Sequence, residues 1–170
     1  MAPHRLGYLL AGALAADLVV TSILPQLRWF LDPLLVTLFF VGLKAPSVRS
    51  LWAWGLALGL LRDAASGGLF GTWACIFALT GWILSRARRA MEVDDPITVF
   101  LCVGLGTLAA HLLELALIAL ADPSAGWGQV PWGFFPLVGA THGGLAWWGF
   151  PRVERLLRPS RSCGYGSWNG

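Results

Sequence analysis

From Ile97 to Ala121 the chain carries a single formally charged side chain, Glu114. Crossing the hydrocarbon of a bilayer takes a helix of about 20 mostly apolar residues, and this run is long enough. Five more apolar segments can be drawn, from about Leu6 to Leu24, Trp29 to Leu43, Val48 to Leu61, Leu69 to Leu84 and Trp132 to Phe150. Pro25 closes the first. Pro33 opens the second, where a first helical turn has no N–H bond to lose. Arg62-Asp63 ends the third, Ala64 to Gly68 then makes a tight turn, and Pro136 lies inside the sixth. Only 12% of the residues are charged and 56% are hydrophobic, whereas a soluble domain carries about 25% charge. So little charge cannot cover a small water-soluble globule, and disordered chains are rich in charge and poor in aromatics. The fold class expected is therefore an all-α integral membrane protein, a bundle of about six transmembrane helices. Six spans of roughly 20 residues use most of the 170, which leaves no room for a soluble catalytic domain. The second to fourth segments are short, and would tilt little or be partly re-entrant.

The basic residues give an orientation. With the N-terminus in the cytoplasm, all of the 12 Lys and Arg except Arg28 and Arg62 fall on the cytoplasmic side, the bias of multi-span proteins. An odd number of spans breaks this alternation, so both termini are expected inside. The net charge of +3 is then a topology signal and no mark of nucleic-acid binding. Residues 1–158 form the expected transmembrane domain, and the small polar residues of 159–170 a flexible cytoplasmic tail. Asp17 interrupts the first apolar run and no clear cleavage site follows, so that run is expected to stay as a span.

An ionisable group inside a span costs roughly 2.5–3.5 kcal/mol on insertion scales, so each needs a reason. Asp17, Asp63, His111, Glu114 and His142 are the candidates, and all but His142 fall in the outer half. His111 and Glu114 are three residues apart on one helix face and can hydrogen-bond. Either the five line a polar pocket open to the outside, or they pair with one another and fix helix packing. The Cys residues lack metal spacing, and His111 and His142 alone are too few for a metal centre. No nucleophile turn or phosphate loop is present, so no cofactor and no catalytic residue is expected. Gly55 and Gly59, four apart, allow a close helix contact.

The stretch from Pro33 to Arg89 carries a pattern: an early Pro33 opening an apolar helix, a basic turn Lys44-Ala45-Pro46, then Gly59-Leu60-Leu61-Arg62-Asp63 with Gly67 and Gly71 after it, and a basic cluster beyond Gly81-Trp82. It resembles the MreD family of rod-shape-determining proteins. The resemblance covers about a third of the chain. Arg62 stands where that family often has an uncharged polar residue; it would pair with Asp63 or snorkel outward. The resemblance implies a multi-pass protein of the bacterial inner membrane with a fold like the substrate-binding subunits of energy-coupling-factor transporters. It implies a non-enzymatic scaffold of the elongation complex in peptidoglycan synthesis and cell-shape control. The partners implied are an MreC-like single-span protein, RodA and its penicillin-binding partner, the MreB filament indirectly, and the lipid bilayer, with no nucleic acid. The alternative is a small-molecule-binding subunit of a vitamin or lipid-precursor transporter.

Overall fold

The computed structural model describes residues 3–23, 31–44, 51–66, 70–90, 95–122 and 132–157. The described residues are all-helical, with no strand among them. The helices are α1 (Pro3–Ile23), α2 (Pro33–Lys44), α3 (Leu51–Ser66), α4 (Thr72–Ala87), α5 (Pro96–Ala121) and α6 (Phe135–Leu157), the last entered through a 3-10 turn at Trp132–Phe134. Each apolar segment of the sequence thus becomes one helix.

Two helices start with the same dipeptide. Asp32-Pro33 opens α2, and Asp95-Pro96 opens α5. The aspartate accepts from the backbone N–H three residues on, Leu35 at 2.9 Å and Thr98 at 2.8 Å. The proline sits where its missing N–H is no loss.

The short α2 is the axis of the bundle and packs against each of the other five helices. Its residues from Leu34 to Leu43 are buried, with Val36 half-buried. Phe39 belongs to the same buried cluster as Phe77 and Ile76 of α4, and Phe40 meets Phe150 of α6 edge-on at 5.1 Å. The two most extensive packings are the hairpins α3–α4 and α5–α6. In the first, Gly55 and Gly59 lie directly on the α4 backbone, where a Cβ would run into Phe77 and into Trp73 and Ala74, as the sequence spacing predicts.

Several boundaries differ from expectation. α3 continues through Arg62-Asp63 to Ser66, because both charges turn into the bundle and need no exit to a loop. The expected turn at Ala64 and Ala65 is helix; Gly67 and Gly68 lie outside the described residues, as do Pro25, Arg28 and 159–170. α6 runs past Pro151 to Leu157, and the exposed Arg152 donates to the Trp148 carbonyl at 2.6 Å beside the proline.

Apolar side chains face outward as well as into the core, and several polar groups are buried. Large apolar side chains stand exposed on every helix except α2, among them Tyr8, Trp52, Trp82, Leu105 and Trp148. Asp17, Asp32, Arg62, Asp63, Thr107, His111 and His142 are buried. Among the described residues one helix, α5, is long and apolar enough to cross a membrane; Gly7–Val20 and Pro33–Lys44 are shorter apolar stretches.

Candidate functional site: a buried charge hub

The buried polar groups meet at one end of the bundle, where α2, α4 and α6 begin and α3 ends. Arg62 is the hub. One Nη nitrogen lies 2.7 Å from an Asp32 oxygen and 3.4 Å from Asp17, and all three side chains are at most 5% exposed. The guanidinium lies over the Trp73 ring, 4.0 Å from its centroid. Flat stacking on an indole suits arginine, whose planar cation is weakly hydrated. The contact joins α1, the start of α2, α3 and α4 through one side chain. Arg62 therefore turns inward, which corrects the outward snorkelling entertained from sequence.

Asp32 does three things. Its side chain caps α2 and pairs with Arg62. Its carbonyl accepts from Val36 in the first helical turn. Its own N–H precedes the helix and would have no backbone partner; it donates to His142 Nε2 at 3.0 Å. An imidazole nitrogen that accepts carries no proton. The other nitrogen, Nδ1, then holds it and donates to the Val138 carbonyl at 2.9 Å. These two bonds fix His142 as the neutral Nδ1–H tautomer and tie α6 to the start of α2. Sequence reasoning passed over Asp32, which lies inside the second apolar segment directly ahead of Pro33. The Asp-Pro signature of a helix start was the signal available.

Asp63 reaches the start of α4. One oxygen accepts from the N–H groups of Gly71 at 2.9 Å and Ala74 at 3.0 Å, and the other from Trp73 at 3.0 Å. The first N–H groups of a helix lack intrahelical partners and carry partial positive charge. Residue 71 at the cap is a glycine with φ 97°, and no side chain there can supply an acceptor. Asp63 supplies it from the neighbouring helix. The sequence placed Asp63 at the end of α3; its bonds close α4.

His111 and Glu114 meet as expected, with 3.3 Å between Nδ1 and Oε2. The His111 ring stands edge-on to Trp73 at 5.8 Å, so Trp73 links this pair to Arg62. Of the five residues singled out from sequence, Asp17 and His142 thus join the hub, His111 and Glu114 adjoin it, and Asp63 holds the adjacent helix start. Among the described residues no three His, Cys, Asp or Glu side chains cluster as metal ligands. Arg62 Nε, Asp32 Oδ2 and Thr107 Oγ1 are buried without a hydrogen-bond partner among them.

No protein-family model matches the chain, and no curated protein or solved structure does so either.

Proposed function

We propose that this chain is a six-span protein of the bacterial inner membrane with both termini in the cytoplasm. In this reading it is a non-enzymatic scaffold of the cell-elongation complex, as its resemblance to the MreD family implies. The observation that carries the membrane reading is the apolar exterior. A monomeric soluble protein rarely exposes an apolar patch beyond a few hundred Å², yet five helices here turn Trp, Leu, Ile or Tyr outward around an apolar core that holds buried charges at one end. In lipid that arrangement is favourable, because buried charges pair with one another and apolar side chains meet acyl chains. Only 28% of the apolar window of α5 is buried, unlike the core helix of a soluble protein.

The short α2 fits the same reading. Its 12 residues rise about 18 Å, less than the roughly 30 Å of hydrocarbon. Other helices surround it, and non-helical backbone at membrane depth is tolerated where protein covers it. His142 completes that cover by accepting from the Asp32 N–H.

The scaffold reading is supported by what the motif residues do. Pro33 starts the central helix, Gly59 lets α3 and α4 touch, and Asp63 and Gly71 build the start of α4. The motif thus reads as architecture, presenting an apolar exterior to a partner such as a single-span MreC-like helix. RodA, the penicillin-binding partner and the MreB filament would join through that assembly. The test is a tagged pull-down from detergent-solubilised membranes with mass spectrometry of the bound polypeptides. An MreC-like protein is expected, and Asp63→Ala should reduce its yield and disturb rod shape. Reporter fusions that put the two termini on opposite sides of the membrane would overturn the topology. Normal shape and normal co-purification in Asp63→Ala would overturn the role given to the motif.

A further inference from the structure

Below the charge hub, α1, α2 and α6 leave a groove of about 260 Å³. Its walls include Leu9, Val36, Phe40, Leu145, Trp148 and Phe150, with Asp32 closing one end and Val153 at the other. Along α6 the lining runs from Leu145 to Val153, a rise of about 12 Å. So small a groove suits a slender polymethylene chain, whereas a helix with its side chains is about 10–12 Å across. The volume is also below the roughly 300–1,000 Å³ of pockets that enclose compact ligands. Gly149 keeps the groove open: it lies in the lining, and a Cβ added there would meet nothing within 4 Å.

The far end of the groove carries positive charge. The Arg152 guanidinium lies over the Trp148 ring at 3.9 Å and donates one N–H to the Trp148 carbonyl. It is exposed, and guanidinium has five N–H donors, so others remain for a ligand. Arg155 stands exposed one turn on, and Arg158 follows in the sequence; Glu154 in the same turn is half-buried. In the membrane reading, on which this inference rests, this is the cytoplasmic rim of α6.

We propose that the groove between α1, α2 and α6 binds one acyl chain of an anionic phospholipid, whose headgroup phosphate Arg152 and Arg155 hold. The apolar walls and small volume select the acyl chain. The arginine pair selects the anionic headgroup, since planar guanidinium groups match phosphate oxygens in pairs. Trp148 sits between the two parts, presenting its ring to the groove and its upper face to Arg152, as interfacial tryptophans do.

The test uses the full chain in a mild detergent, titrated with dioleoyl phosphatidylglycerol or dioleoyl phosphatidylcholine, with bound lipid counted by native mass spectrometry. One phosphatidylglycerol is expected to be retained, with a preference of about fivefold or more over phosphatidylcholine. Arg152→Gln should bring the two lipids near parity. Gly149→Phe, which fills the groove, should remove the adduct of either lipid. Retention of both lipids alike by the parent protein, or an unchanged preference in both variants, overturns the proposal. So does a photo-crosslinker at Leu145 that captures a polypeptide in place of lipid. If Gly149→Phe fails to fold, Arg152→Gln still decides, because its side chain is exposed. A protein that stays dispersed in buffer without any amphiphile refutes the membrane reading itself; one that needs detergent yet shows no lipid preference refutes the groove assignment alone.

Discussion

Asp63→Ala removes the acceptor of three backbone N–H groups at once, those of Gly71, Trp73 and Ala74. A hydrogen bond to a charged group contributes about 1.5–3 kcal/mol, so three set a ceiling of roughly 5–9 kcal/mol. The carboxylate's own burial, which alanine relieves, offsets part of this. An ordinary N-cap deletion costs about 0.5–2 kcal/mol for a single bond. A net loss of about 3–4 kcal/mol is expected, or a fall in Tm of roughly 6–16 °C for a chain of this size. Asp63→Asn keeps one oxygen. If that oxygen takes the position bonded to Gly71 and Ala74, two bonds survive and an NH2 group faces the Trp73 N–H, so about half the loss is expected. Thermal unfolding in detergent, followed by tryptophan fluorescence, measures both variants. An alanine variant melting within about 2 °C of the parent would refute the reasoning, because the start of α4 would then be satisfied without Asp63.

Arg62→Met strips Asp32 and Asp17 of the guanidinium between them and should cost about 3–5 kcal/mol, the usual penalty for breaking one side of a buried pair; a double-mutant cycle with Asp32→Asn should show coupling. Gly59→Ala drives a Cβ into the α4 backbone and should destabilise by about 1–3 kcal/mol, whereas Gly12→Ala on α1, with nothing within 4 Å, should be neutral or slightly stabilising in the same melt. Gly71→Ala has room for its Cβ but not the backbone freedom, and should cost about 1–2 kcal/mol through its φ of 97° alone. At the start of α5, the hydroxyl and N–H of Thr98 hold the Asp95 carboxyl below its usual range. Its contribution to stability is therefore present above the unfolded carboxylate pKa of about 3.9 and is lost as the pH falls through the lower folded value. The stability difference between the parent and Asp95→Ala should be constant near neutrality and shrink in acid below about pH 4.

The sequence revealed which residues matter better than what they do. Asp17, His111, Glu114 and His142 stood out because a charge or an imidazole in an apolar run demands a partner, and the structure brings them to one end of the bundle. The Gly55–Gly59 spacing foretold a close helix contact, since four residues make one helical turn. Arg62 misled because it follows a short apolar segment and resembles a loop charge. Only three-dimensional proximity reveals that carboxylates from α1 and from the start of α2 await it. Asp63 misled in the same way, as its bonds lie 8 to 11 residues ahead, on the next helix. The pairing of Asp32 with His142 spans 110 residues and leaves no trace in local pattern.

That separation bears on how the chain is made. The Asp17 carboxylate emerges 45 residues before its arginine, and the Asp32 amide 110 residues before its imidazole. At about 5–20 residues per second a ribosome takes roughly 2–9 s to supply the first partner and 6–22 s to supply the second. In the membrane reading proposed above, the first helix would enter the bilayer during that interval, before Arg62 has been made.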